Sequence, residues 1–311
     1  MNHSTRRQFA FAAAAAAAAA SSLHGAARKF TMHLTCGTIG VKATQLEAIE
    51  HAHRHGWEAV EPNAGYLGSL SDSDLRRLLD DLKAKKLVFG AAGLPVEFRA
   101  GEEQFAAHLK ELPAAAKALQ RAGVTRVGTW IMPNHDELTY FQNLRRHARR
   151  LREVARVLAD YGQRLGLEYV GPKTMWTAKR YPFVHSMAEM KDLIGEIGTT
   201  NVGFVLDSWH WYTAGESEAD LLTLRNEEVV SVDLNDAPAG IPVDQQIDNR
   251  RELPMATGVI DVKTFLGALV KIGYDGPVRP EPFNAELRSL PPEQALAKTT
   301  AAMRKAFALV G

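Results

Sequence analysis

From residue 30 onward, short apolar or β-branched runs alternate with longer amphipathic segments, and the alternation occurs eight times. The runs are Met32–Cys36, Trp57–Glu61, Leu87–Gly90, Arg126–Trp130, Arg164–Val170, Val202–Asp207, Val229–Leu234 and Val278–Glu281. Their length suits strands, and the segments between them have helical spacing. Leu46, Ile49, Ala52 and His53 form one such set; Leu144, Ala148, Leu151, Val154 and Leu158 form another. The arginines from Arg145 to Arg156 read as the solvated face of that second helix. Ser71 and Asp261 stand where helices start, and Gly56, Gly123, Gly198 and Gly273 where they end. Eight strand–helix units predict an α/β chain folded as a (β/α)8 TIM barrel. A doubly wound open sheet is the rival, but it gathers polar residues near one switch point. Here they recur at the C-terminal ends of many strands, and no Gly-rich phosphate fingerprint follows any of them.

Four acids end the last four predicted strands: Glu168 in RLGLEYVGPK, Asp207 in VGFVLDSWHWY, Asp233 in VSVDLNDAP and Glu281 in GPVRPEPF. In a barrel they converge at one mouth. Four carboxylates in one pocket repel unless protonated or bridged, so a divalent metal held by Glu168, Asp207, Asp233 and Glu281 resolves the charge. Val230, Val232 and Leu234 share one face of their strand, which leaves Asp233 on the other with Ser231 and Asn235.

His210, three residues after Asp207, is placed to donate to a substrate oxygen as a neighbouring carbon loses its proton. Lys173 and Arg251, on the loops after strands five and seven, are placed to hold polar groups of an anionic or hydroxylated ligand. Arg251 belongs to a long loop, Asn235 to Gly258, whose prolines favour an ordered, lid-like structure. Trp130, Trp176, Trp209, Trp211, Tyr181 and Phe283 cluster near the strand ends, as aromatics do around sugars.

The N-terminal segment differs from the rest. In STRRQFAFAAAAAAAAASSLHGAA, paired arginines precede an apolar stretch too short to span a bilayer, followed by small residues before Arg28. This resembles a twin-arginine export signal, so residues 1–27 are expected to be removed and 28–311 to form a single exported barrel, periplasmic in location. The whole chain of 311 residues carries a formal charge of +1; without the signal, 35 bases face 36 acids. Near-neutrality gives no bulk attraction to nucleic acid or, after signal removal, to a membrane. A single cysteine, Cys36, excludes an internal disulfide.

The motifs GWEAVEPN, LEYVGPK, VLDSWH, VDLNDAP with the loop through Pro254, and GYDGPVRPEPF resemble the sugar phosphate isomerase/epimerase family of xylose-isomerase-like barrels. The likeness covers roughly residues 30 to 310. It implies a metal held by acids ending strands five, six and eight, which match Glu168, Asp207 and Glu281. It also implies Mn²⁺, Mg²⁺ or Co²⁺, a substrate-contacting histidine matching His210, and a substrate-facing arginine matching Arg251. Glu168 and Glu281 would then be the catalytic pair, exchanging a proton at a carbon next to a carbonyl of a small sugar. Asp233 departs from the family pattern, which has histidine at that position. An all-oxygen ligand set favours harder ions such as Mg²⁺, Mn²⁺ or Ca²⁺ over Zn²⁺.

The expectation is a metal-dependent isomerase, epimerase or mechanistically related lyase acting on a keto-sugar or keto-glycoside, with self-association left open. Two other readings stand beside it: a non-catalytic or metal-free sugar-binding barrel, and phosphodiester cleavage in the manner of the endonuclease IV relatives.

Overall fold

A computed structural model describes residues 27–311; the paired arginines and the alanine tract lie outside the described residues. Among the described residues eleven strands are formed: β1 (Thr31–Leu34), β2 (Ala59–Val60), β3 (Val88–Phe89), β4 (Ala92–Gly93), β5 (Arg126–Trp130), β6 (Asn134–His135), β7 (Arg164–Glu168), β8 (Tyr181–Pro182), β9 (Val202–Asp207), β10 (Val229–Leu234) and β11 (Pro277–Pro280). Nine of them make one sheet in the order β3-β2-β1-β11-β10-β9-β7-β5-β4, and every pairing recorded within it is parallel. The two ends of that order, β3 and β4, are separated only by Gly90 and Ala91. They are two halves of one barrel strand, so the sheet closes through the chain itself, as a (β/α)8 barrel requires. At the break Gly90 has no room for a side chain: a Cβ there would lie 2.7 Å from Nε2 of His33, which stands on β1, next but one in the sheet. β6 and β8 form a separate antiparallel pair beyond the sheet.

Strand alternation puts successive residues on opposite faces. The register brings reactive side chains side by side in two groups: Trp130 stands opposite Glu168, and Asp233 opposite both Asp207 and Arg279. One level lower, Gly128 and Gly166 leave space that larger residues fill; a Cβ at Gly166 would lie 2.8 Å from Val205 and 2.9 Å from Val230.

The expected helix signals are met at most positions. The Ser71 and Asp261 side chains accept from the third residue of their helices, Asp74 and Thr264, and Gly56 and Gly198 adopt the left-handed conformation that ends a helix. Two details differ. In the helix Gln45–His55 the buried face is Gln45, Ile49 and Ala52, whereas Leu46 is 52 % exposed and His53 also faces outward. In Tyr140–Asp160 the arginine run is not wholly solvated: Arg150 is buried, donating to the carbonyls of Phe98 and Ala100 and to Glu102.

That helix also buries His147 against Phe98 and Phe183, with ring centroids 5.6 and 4.9 Å away. Burial, more than its arginine neighbours, pushes its pKa down to about 3. Below pH 6.5 the unfolded chain therefore takes up a proton that the folded chain refuses, and stability falls as the pH drops toward 3. The expected loss from this one residue is about 2 kcal/mol between pH 7 and pH 5. Urea denaturation at the two pH values measures it, and His147→Gln should remove that share of the slope.

Candidate functional site

All six residues of β10 are buried, and Asp233 meets Arg279, which lines a cavity with Glu168 and Glu281, so Asp233 faces the barrel interior and not solvent. Its carboxylate is gripped from the adjacent strand: Arg279 Nε donates to Oδ1 at 2.5 Å and Nη2 to Oδ2 at 2.8 Å, a bidentate pair. Arg279 Nη2 also donates to Glu281 Oε1 at 3.2 Å.

Asp207, at the end of β9, caps the short helix Ser208–Thr213. Its Oδ1 accepts from Trp209 N–H at 2.7 Å and Asn235 Nδ2 at 2.9 Å. Its Oδ2 receives Arg251 Nη1 at 2.6 Å. The same Arg251 nitrogen reaches Glu281 Oε2 at 3.1 Å, while Nη2 reaches Asp248 Oδ1 at 2.8 Å. Arg251 is only 2 % exposed, and its guanidinium lies 4.7 Å from the centroid of the Phe283 ring. Phe283 holds a φ of 40°, a strained conformation for a side-chain-bearing residue that sets its ring against the arginine.

Arg251 comes from the long loop after β10, and Asp236 explains why that loop is ordered. Its two carboxylate oxygens accept four backbone N–H groups, from Ala237, Thr257, Gly258 and Ile260, at 2.7 to 3.0 Å. An Asp236–Glu252 bridge ties the loop's two arms.

Glu168 completes the arrangement from the end of β7, and its buried Oε1 has no hydrogen-bond partner among the described residues. Burial, then the charges of Glu281, Asp233 and Asp207, raise its pKa well above the usual carboxylate range. Burial and Asp233 likewise raise Glu281 to about 8, against the pull of Arg279 and Arg251. Burial raises Asp207 to about 6 despite Arg251. His210 is also buried. Gly171 N–H approaches its Nδ1 at 3.2 Å and Arg251 Nη2 lies 3.2 Å from its Nε2, so a neutral ring can accept from one of these two donors. Its Nε2 is 3.8 Å from Glu168 Oε1. Burial, then Arg251, lowers its pKa to about 3, so the ring is neutral at ordinary pH.

One oxygen from each of Glu168, Asp207, Asp233 and Glu281 falls within a set whose members are all within 4.8 Å of one another; Glu168, Asp207 and His210 form a second such set. That spread is about twice a metal–oxygen bond of roughly 2.0–2.6 Å, the size of a cage for one divalent ion. The unpartnered Glu168 Oε1 offers a ligand atom with no competing bond. Four carboxylates beside Arg251 and Arg279 leave a formal charge of −2 when all are ionised, which one divalent ion balances. Asp233 fits least well, because both its oxygens are engaged by Arg279.

Two cavities meet at these residues. One, about 220 Å³, is lined by Trp130, Glu168, Met175, His210, Arg251 and Phe283, among others. The other, about 250 Å³, reaches deeper between Gly128, Ser231, Arg99, Arg279, Glu168 and Glu281. The structure thus brings six of the sequence-derived candidates together: Glu168, Asp207, Asp233, Glu281, His210 and Arg251. It does not bring Lys173, which lines neither cavity. The Lys173 side chain is half exposed and its Nζ pairs with Asp244 at 2.8 Å. Of the aromatics, Trp130 and Phe283 line the cavities; Trp209 and Trp211 are core residues. Sequence reasoning missed Asp248 and Arg279. Arg279 was findable, since it stands two residues before Glu281 and so shares its strand face.

Comparison with known proteins adds four findings. Residues 49–306 match the xylose isomerase-like TIM barrel family. Among curated relatives, inosose isomerase of Bacillus velezensis is 23% identical over 254 residues, 80% of this chain and 86% of that protein. Among solved structures, a xylose isomerase domain protein from Alicyclobacillus acidocaldarius is 32% identical with a TM-score of 0.77, covering 91% of this chain and 99% of the other. IOLI, a protein solved with a bound zinc atom, has a TM-score of 0.74 at 20% identity, over 91% of this chain and 99% of its own.

Proposed function

The chain belongs to the xylose isomerase-like TIM barrel family, and from that premise we propose that it is a metal-dependent isomerase or epimerase, or a lyase of the same chemistry, acting on a keto-sugar or keto-glycoside. The observation that carries this reading is the convergence of Glu168 and Glu281 on shared cavities beside Asp207, His210 and Arg251. Two buried acids with raised pKa values, Glu281 at about 8 against the pull of Arg279 and Arg251, can hold and release protons near neutral pH, as proton transfer at carbon needs.

A divalent ion fits Glu168, Asp207 and Glu281, and the zinc atom in IOLI supports a metal in this fold. When bound, such an ion supplies Lewis-acid stabilisation of negative charge on a substrate oxygen. The chain's own groups do the rest. One of Glu168 and Glu281, as carboxylate, takes the proton from the carbon next to the carbonyl, and the electron pair moves toward the carbonyl oxygen. Return of a proton by the other acid inverts the centre; return at the neighbouring carbon isomerises; departure of a β-hydroxyl gives elimination. His210, neutral and buried, is placed to hold a substrate oxygen. Arg251 fixes Asp207 and Glu281 at the working distance, and Trp130 and Phe283 give the apolar walls on which a sugar ring rests.

The name inosose isomerase on a relative that matches four-fifths of the chain supports a small cyclic or open ketone of this kind. Export, read from Arg6-Arg7 and the apolar stretch after them, favours substrates without phosphate. Cell fractionation tests it: the chain should leave the cytoplasm, and Arg6→Lys with Arg7→Lys should keep it there. Turnover of a panel of inososes, keto-sugars and 3-keto-glycosides, followed by NMR with Mn²⁺, Mg²⁺, Co²⁺ or EDTA, tests the activity. Conversion that requires a divalent ion is expected; equal conversion in EDTA, or none with any substrate and ion, contradicts the proposal.

A further inference from the structure

Asp233 and Arg279 are the feature that the proton-transfer scheme leaves unused. They stand directly opposite each other on β10 and β11, and the Asp233 side chain is wholly buried. Nε and Nη2 of the guanidinium are spent on Asp233 and Glu281. Nη1 donates no hydrogen bond to any described residue. Yet Arg279 keeps 23% of its side-chain surface accessible, and it lines the deeper cavity together with Glu168 and Glu281. A guanidinium held on one edge, on a residue that lines the same cavity as the two glutamates, is a preorganised donor for what occupies that cavity.

We propose that Asp233 serves as the anchor of Arg279 and not as a metal ligand, and that Nη1 of Arg279 binds the substrate oxygen that gains negative charge as the neighbouring C–H bond breaks. The inference rests on the enolisation reading for the identity of that oxygen. In the step, the C–H bond breaks, the proton goes to a glutamate carboxylate, and the electron pair becomes the enolate carbon–carbon double bond while the carbonyl π pair settles on oxygen. Arg279 donates to that oxygen throughout and exchanges no proton. The pairing also explains why an acid is tolerated at this place in the barrel. Its charge is answered by a partner from the neighbouring strand, whichever ion the other three acids hold.

The probes are oxalate, a planar mimic of an enediolate, and Mn²⁺ alone, each titrated calorimetrically into the full chain. Wild type is expected to bind both. Arg279→Gln should weaken oxalate binding by at least tenfold and lower kcat by roughly 10²–10³-fold with a smaller change in KM, as loss of an oxyanion donor does. Mn²⁺ stoichiometry should be unchanged in Arg279→Gln and in Asp233→Asn, whereas Asp207→Asn should lose it. Asp233→Asn should resemble Arg279→Gln in oxalate binding, because it frees the guanidinium from its anchor.

Should Asp233→Asn fail to fold, the paired change Asp233→Leu with Arg279→Met removes both charges together, which buried ion pairs often tolerate. That protein should still bind one Mn²⁺ and no longer bind oxalate. Loss of Mn²⁺ binding in the paired variant, or oxalate binding and kcat unchanged in Arg279→Gln, overturns the proposal, as does a wild type indifferent to oxalate. The two readings fail separately. Oxalate binding that depends on Arg279 without any turnover sinks the enolisation reading alone, and turnover insensitive to Arg279→Gln sinks the present one alone.

Discussion

Glu168→Gln is expected to lower turnover by roughly 10²–10⁴-fold, the contribution of a general acid or base placed at the reacting carbon. The amide keeps the shape of the side chain and its place at the end of β7, but it cannot carry a proton to or from substrate. Glu168 is the acid with the least competition in the site: its Oε1 is buried and accepts no hydrogen bond from any described residue, while Asp207, Asp233 and Glu281 are each tied to an arginine. The fold should be unaffected. Gln can occupy the same space, and removing one of four crowded carboxylates relieves repulsion. Equal kcat in Glu168→Gln and wild type, with matching thermal denaturation, would remove Glu168 from the chemistry.

Arg251→Ala carries the largest expected cost in stability. The guanidinium is almost fully buried and answers Asp207, Glu281 and Asp248 at 2.6, 3.1 and 2.8 Å. Its removal leaves buried carboxylates without their partner, a change that costs about 3–5 kcal/mol. Urea denaturation in EDTA measures this. Added Mn²⁺ should recover part of the loss, because an ion bound only by the folded chain stabilises it by mass action and answers the same carboxylates. A loss below about 1 kcal/mol, the value typical of exposed ion pairs, would mean that these contacts contribute little.

The barrel was legible in the sequence because its signal is redundant. Eight apolar runs report the same architecture, and misplacing the ends of several by one or two residues leaves the topology intact. The third run shows the limit. Leu87–Gly90 reads as one strand, whereas the barrel strand continues past Gly90 and Ala91 into Ala92–Gly93, with Gly90 packed against the His33 ring of β1. No local pattern encodes that contact. Helix faces were read less well where a single apolar residue stood alone: Leu46 fits a helical stripe by spacing, but the barrel wall meets Gln45, Ile49 and Ala52.

Within the site, the residues found were those at strand ends, where fold and chemistry predict convergence. Strand position says where a side chain starts, but it does not say which partner the side chain takes. Asp233 was rightly assigned to the interior face of its strand, and only the structure shows Arg279 on both its oxygens. Lys173 was placed near the site by its loop alone, and its long flexible side chain turns instead to the exposed Asp244. The Arg251 loop was expected to be ordered from its prolines. Its order comes chiefly from the Asp236 carboxylate, which gathers backbone N–H groups from residues more than twenty positions apart.

In the proposed function, this cluster of acids and arginines moves a proton at a carbon next to a carbonyl. Solvent exchange tests that step without requiring the natural product to be known: the Mn²⁺-loaded protein is incubated in deuterated water with inososes, keto-sugars and 3-keto-glycosides, and the ketones are followed by NMR. Deuterium should enter next to the carbonyl of at least one of them, at a rate that Glu168→Gln abolishes. Wild-type protein, folded and metal-loaded, that exchanges no proton in any of these ketones would contradict the account.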